Sequence, residues 1–215
     1  MRHDARHYIA RGQNHIMVQK TKSSPVRQQE IIDAARKLIV KYGSEHLTVR
    51  RIAKEVGFSE AAIYRHFRSK KEILFFLVDH IMYSLFDGID KAIAGNNTSL
   101  DTIDQVLKSH LSAIEQKQGM SFLVVAEIIS LGDKKLNKKV AEDINSYIGR
   151  LRSLLEKGMK SGLVRGDIDL DAAATLLFGM IQGLVNIWAL NNYKFNLSDR
   201  YASLWNVFRE SVTRQ

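Results

Sequence analysis

Between Thr48 and Phe67 the chain carries two short helix signals joined by one glycine, and few architectures accommodate that. Val49, Ile52, Ala53 and Val56 recur at steps of three, one and three, the spacing of one face of an α-helix. Thr48 precedes them as an N-cap whose hydroxyl can accept from a free amide of the first turn. Gly57 supplies the positive φ that ends a helix and turns the chain sharply. Ser59 is a second N-cap, opening a helix expected over residues 60–67. One face of that helix is Ala62, Ile63 and Phe67; the other shows Glu60, Ala61, Tyr64 and Arg65. Two short helices around a tight glycine turn make a helix-turn-helix, whose second helix fits the major groove of DNA.

Charge is distributed to match. Residues 1–75 hold 16 Lys and Arg against 7 Asp and Glu, whereas residues 76–215 hold 16 of each. The whole excess of +9 therefore sits on the third of the chain that carries the helix-turn-helix. A localised basic field attracts the phosphate backbone and speeds encounter with it. An anionic membrane would also attract it, but no lipidation motif or basic amphipathic anchor accompanies the charge.

From Ile31 to Leu74 the chain resembles the N-terminal domain of the TetR family of bacterial transcriptional regulators. The stretches that carry the likeness are Ile31-Ile32-Asp33-Ala34-Ala35-Arg36-Lys37-Leu38-Ile39, Tyr42-Gly43, Thr48-Val49-Arg50-Arg51-Ile52-Ala53, Val56-Gly57-Phe58-Ser59, Ile63-Tyr64-Arg65-His66-Phe67 and Ser69-Lys70-Lys71-Glu72-Ile73-Leu74. The resemblance implies that Thr48, Tyr64 and Lys70 contact phosphates with His66 close by, which suits a hydroxyl, a phenol and an ammonium that fix register without reading sequence. It places Arg50 near a guanine edge and turns Ser59, Glu60, Ala61, Ala62 and Arg65 toward the groove. There Arg65 can bind guanine O6 and N7, the alanines a thymine methyl, and Glu60 a cytosine amine. Many family members have Gly or Pro and then Thr where this chain has Ala61 and Ala62, so the operator sequence is not legible.

The expected class is all-α: an N-terminal three-helix helix-turn-helix domain over residues 25–70 and a helical ligand-binding and dimerisation domain over residues 71–215. About 45% apolar residues in 215 is ample for a core, and strand patterns and hairpin dipeptides are missing. Pro25, the one proline, suits the first helical position with Ser24 as its cap. Residues 1–24 read as a flexible basic arm without the apolar run of a secretory signal, with Met17 as an alternative start. Ser69 and Glu72 form a capping box that opens a helix running to about residue 94. Turn and break signals at Gly95-Asn96-Asn97, Gly119, Gly132-Asp133 and Gly162 then delimit helices over residues 100–117, 120–131 and 137–161.

Residues 172–193 carry no charge, yet Gln182, Asn186, Asn191 and Asn192, and Asp167, Asp169 and Asp171 just upstream, fit a buried helix better than a membrane span. The last helix, residues 198–213, offers Tyr201, Leu204, Trp205, Phe208 and Val212. Two adjacent apolar helices at this end are where TetR-like proteins pair as two-fold homodimers. The resemblance thus assigns a dimer interface to Thr175, Gly179, Gln182, Gly183, Asn186, Tyr201, Leu204, Trp205 and Phe208, with paired heads on a palindromic operator in double-stranded DNA.

Regulators of this kind enclose a small-molecule effector in the C-terminal domain. Candidate lining residues are Phe86, His110, Met120, Phe122, Tyr147, Met159, Phe178, Met180 and Trp188, a set that points to a hydrophobic or aromatic ligand. No metal site or cofactor is expected: no Cys is present, and the seven His are scattered along the chain. Nucleophile elbows and phosphate loops are missing as well, so the chain does not read as an enzyme. The reading is a cytoplasmic, nucleoid-associated repressor released from its operator by a ligand. The alternative comes from Ser59 to Phe67, which also resembles the motif of a nucleoid-occlusion factor that shares this fold and has no small-molecule inducer.

Overall fold

In a computed structural model of the chain, residues 24–95, 100–116 and 120–213 are described, without the side chains of residues 120–122. The expected arm therefore lies outside the described residues except for Ser24, as do Asn96, Asn97 and Gly119. Among the described residues the chain forms nine α-helices and no strand.

α1 (Ser24–Tyr42) buries Ile31, Ile32, Ala34, Ala35, Leu38 and Ile39. It ends at Gly43, whose φ of 84° lets its amide close back on the Ile39 carbonyl at 2.8 Å. α2 (Val49–Val56) starts on the Thr48 hydroxyl, which accepts from the Arg51 amide at 3.2 Å. Gly57 ends it with φ 73°, and the Phe58 amide returns to the Ala53 carbonyl at 2.8 Å. α3 (Glu60–Tyr64) is capped by Ser59, whose hydroxyl accepts from the Ala62 amide at 3.2 Å. The helix expected to reach Phe67 stops three residues early. The amides of His66 and Phe67 both turn onto the Ile63 carbonyl, at 2.9 and 3.0 Å. That tightening drives Phe67 into the core, edge-on to Phe76 at 5.3 Å.

α4 (Lys70–Ala94) begins where the Ser69 hydroxyl accepts from the Glu72 amide at 3.2 Å. The Glu72 carboxylate reaches back to the Arg68 amide, one residue before the reciprocal position of the expected capping box. α5 (Leu100–Gln116) and α6 (Met120–Ser130) follow. α7 (Lys134–Lys160) starts three residues before its sequence signal. Asp133, read as the end of the preceding helix, is its cap and accepts from the Lys135 and Leu136 amides, both at 3.0 Å. α8 (Leu170–Leu190) and α9 (Leu197–Val212) complete the chain, capped by Asp169 and Asn196.

The core does not divide at residue 70. One cluster joins α1, α2 and α3 to the first half of α4 and continues through Val124 and Ile128 of α6 to Leu136 and Val140 of α7. A second gathers the end of α4 with α5, α7, α8 and α9. Leu85 and Phe86 of α4 pack against both. α8 is long and apolar enough to cross a bilayer, but Ala173, Ala174, Leu177, Leu184, Val185 and Trp188 place one face of it in the second cluster.

Candidate nucleic-acid interface and effector cavity

The helix-turn-helix presents its predicted contact residues on short, tightly capped elements. Ile63 is wholly buried, so the opposite face of α3 is fixed outward. Glu60, Ala61 and Arg65 are exposed, Tyr64 is 52% exposed and Ala62 is half-buried. Arg50 is exposed in the first turn of α2. Thr48 and Ser59 are exposed but accept from amides as caps; each hydroxyl keeps its proton free to donate to a phosphate. His66 is half-buried with Nδ1 3.4 Å from the Ser24 hydroxyl, and Lys70 is half-buried at the start of α4.

Residues that the sequence did not single out hold this surface in place. Lys37 on α1 pairs with Glu55 on α2 at 2.5 Å. Arg51 donates to the His46 carbonyl at 3.1 Å and lies over the Tyr42 ring. Arg27 lies over Phe58, 4.7 Å from its centroid.

The joint between this head and the rest of the chain is polar. Ser44, fully buried between α1 and α2, donates its amide to the Glu127 carboxylate on α6 at 3.0 Å. Its hydroxyl lies 2.9 Å from the Glu127 carbonyl and 3.1 Å from the carboxylate. At the start of α4, Lys71 donates to Asp133 at 2.6 Å and, with the Leu136 and Lys135 amides, holds that carboxyl below its ordinary range.

Beyond the joint, α4, α5, α7 and α8 enclose a cavity of about 260 Å³, just under the roughly 300–1,000 Å³ usual for small-molecule sites. Ile81, Met82, Leu85, Val125, Ile144 and Phe178 make its wall apolar. Ser84, Ser109 and Ala113, which also line it, are exposed and mark its mouth between α4 and α5. His110 sits inside, 7% exposed, with Nδ1 2.7 Å from the Tyr147 hydroxyl. Burial pulls the His110 ring down to about 4, opposed less strongly by the Leu85 carbonyl. Burial also pushes the Tyr147 phenol up. At neutral pH both are therefore uncharged.

A wider groove of about 450 Å³ lies between α1, α4 and α7. It carries Asp79 and Asp143, both paired with Lys139 at 2.7 and 2.8 Å, so its floor is charged. The smaller, apolar enclosure suits an organic effector better.

The structure sorts the other sequence candidates. His110 and Phe178 line the cavity, Tyr147 backs His110, and Phe86 stacks behind Tyr147 at 6.4 Å. Trp188 does not line it, because its indole donates to the Phe195 carbonyl at 2.9 Å within the α8–α9 packing. Met159 packs against the second core, and Met180 borders an outer groove with Gly179 and Gly183. The side chains of Met120 and Phe122 lie outside the described residues.

Four residues assigned to pairing turn elsewhere. Gln182 lines the cavity. Tyr201, Trp205 and Phe208 form the inward stripe of α9, and the Tyr201 hydroxyl donates to Asp104 at 3.0 Å. An amphipathic stripe packs against its own chain first, which leaves Leu204 and Val207 on the outer face. With Thr175, Leu176, Gly179, Asn186, Ile187 and Leu190 exposed and Gly183 half-exposed, that face of α8 and α9 is apolar and small-residue-rich. Gly88, Ser84 and Ser109 of the cavity were missed. A glycine inside a 25-residue helix was the available signal, because it is unfavourable there unless space is needed.

Comparison with known proteins matches both the helix-turn-helix and the helices that follow it. Residues 31–75 match the family described as bacterial regulatory proteins, tetR family, and residues 78–210 match the C-terminal region of YsiA-like proteins. The chain is 26% identical to the fatty acid metabolism regulator protein of Bacillus subtilis (strain 168) over 80% of this chain and 88% of that one. It superposes on the transcriptional regulator FadR from Bacillus subtilis, solved in complex with stearoyl-CoA, with a TM-score of 0.73 and 26% identity over 85% and 95% of the two chains. It is also 25% identical to the nucleoid occlusion factor SlmA of Marinomonas sp. (strain MWYL1) over 86% of this chain and 94% of that protein.

Proposed function

Because the chain belongs to the TetR family of bacterial regulatory proteins, we propose that this DNA-binding transcriptional regulator is a homodimeric repressor released from a palindromic operator by an acyl thioester. One observation carries the regulatory part. α4 runs without a break from Lys70 at the reading head to Gly88 in the cavity wall. A ligand that parts α4 from α5 must tilt the helix on which the head is seated. The cavity is smaller than a long acyl chain needs, so filling it requires that separation. The ligand then favours the conformation with heads misplaced, a population shift.

The ligand class rests on the apolar wall and on the stearoyl-CoA complex of the FadR relative. The DNA contacts we assign are Thr48, Tyr64 and Lys70, with His66 nearby, on phosphates, and Arg50, Ser59, Glu60, Ala61, Ala62 and Arg65 toward the bases. Pairing through the outer faces of α8 and α9 sets two such heads on one operator. A regulator of this kind acts on the chromosome, in the cytoplasm.

Selection of genomic fragments by the purified protein, with and without dodecanoyl-CoA, tests this reading. The expected result is a palindromic site lost when the thioester is added. The SlmA relative favours a second reading, a chromosome-bound protein without an inducer. Many dispersed sites, indifferent to every acyl compound, would select it.

A further inference from the structure

Among the described residues, apart from the Tyr and Trp of the core, Ser44 and His110 are the buried polar side chains. Ser44 is satisfied by Glu127. His110 is half satisfied: Nδ1 meets Tyr147, while Nε2 is buried without a well-formed hydrogen bond, the Leu85 carbonyl being the backbone acceptor near the ring. Buried polar atoms are almost always paired, so one left over inside a cavity points to something the cavity receives.

The proton on this ring can be placed by counting partners. Nδ1 pairs with the Tyr147 hydroxyl at 2.7 Å. If the phenol donates to Nδ1, only the Nε2 proton is left over. If Nδ1 donates to the phenol, both the phenol proton and Nε2 go unmet. The first arrangement strands fewer groups, so Nε2 presents an N–H donor. Its complement is an acceptor oxygen.

That oxygen is uncharged. Among the described residues the one charged lining residue is Asp87, which is engaged by Lys91 at 2.7 Å. None of the described lining residues is a cation that could meet a carboxylate, and a buried unpaired carboxylate is strongly disfavoured. Gly88 lies against the same edge of the ring, where a Cβ would sit 3.0 Å from Nε2. A glycine here, inside a helix that would be firmer with alanine, keeps that edge open.

We propose that His110, held by Tyr147 and given room by Gly88, donates from Nε2 to the carbonyl oxygen of an acyl thioester whose chain fills the cavity. This rests on the acyl-ligand reading above. Ser109 beside it is exposed at the mouth, so the carbonyl lies near the entrance. The chain then runs inward past Val125, Ile144 and Phe178, and the coenzyme portion stays outside.

The test compares dodecanoyl-CoA with its thioether, S-dodecyl-CoA, which lacks only the carbonyl oxygen, by titration of the full-length protein. Wild type is expected to prefer the thioester about tenfold, the scale of one well-made hydrogen bond in a closed site. In His110→Leu the preference falls to near unity while the alkyl chain still binds. Tyr147→Phe, which keeps the ring but frees it to turn, lowers the preference in the same direction. Far-ultraviolet circular dichroism checks the fold of both, and the ratio is unmoved by a purely structural defect. Equal affinities in the wild type overturn the inference and leave the acyl reading standing. Binding of neither compound overturns both. A preference that survives in His110→Leu removes the assignment to this residue.

Discussion

The reading head and the effector domain are built from the same element, yet they are organised in opposite ways. The head is made of short helices, five residues in the case of α3, whose positions are fixed by caps a few residues away: Thr48 on Arg51, Ser59 on Ala62. Its working side chains point outward. The effector domain is made of long helices whose working groups point inward, and their partners are distant in sequence. His110 meets Tyr147, 37 residues on, and Gly88 makes room from the other direction. A surface that must match a rigid duplex is made stiff by local bonds. A cavity that must respond to a ligand is made of packed side chains that can separate.

That contrast can be broken or sharpened by experiment, starting with pairing. Ile187→Asp puts a charge on the exposed face of α8 without touching the head or the core. An uncompensated charge buried at an interface costs roughly 3–5 kcal/mol. The variant should sediment as a monomer and lose operator affinity while keeping the helical content and melting of an isolated subunit.

Acid is next. His110 is buried neutral with a value of about 4 against an ordinary 6.5. Its contribution to stability is therefore complete above pH 6.5 and is lost as pH falls toward 4, because the unfolded chain takes the proton first. The difference corresponds to roughly 3 kcal/mol. Denaturant melts of wild type and His110→Leu at pH 7 and pH 4.5 should show a smaller acid loss in the variant. Parallel losses would place the ring in contact with water.

On the head, Arg65→Ala should cost about 1–3 kcal/mol in operator binding and flatten preference at one position of each half-site. Lys70→Ala should instead weaken all sequences alike and lower the salt slope by about one. An unchanged footprint and preference for Arg65→Ala would remove it from base reading.

The joint gives the smallest effect. Ser44→Ala takes a hydroxyl from Glu127 at a cost of about 1–2 kcal/mol in stability. Operator binding without ligand should survive, whereas release by dodecanoyl-CoA should need more ligand. Normal release would mean that α6 carries none of the signal.

These two halves differ in how far the sequence discloses them. The helix-turn-helix was legible because its signals are local: Thr48, Gly57 and Ser59 act on atoms within three to five residues. Even there the end of α3 was misjudged, since the turn that buries Phe67 depends on Phe76 in another helix. In the second domain helix periodicity marked a stripe at Tyr201, Trp205 and Phe208 but not what it faces; the stripe belongs to the core, and the face we propose for pairing lies beside it. Gln182 lines the cavity, a facing that periodicity alone does not disclose. Ser44 and Glu127 are 83 residues apart, and nothing in either neighbourhood signals the other.

On the proposed function, α4 couples the cavity to the reading head. This coupling is tested most directly by titrating the protein–operator complex with dodecanoyl-CoA and, separately, the free and operator-bound protein with the same thioester. We expect operator affinity to fall by about 5- to 150-fold. Linkage requires the thioester to bind the operator complex more weakly by the same factor. If both ligands bind and neither changes the affinity of the other, the cavity and the head are independent and the account fails.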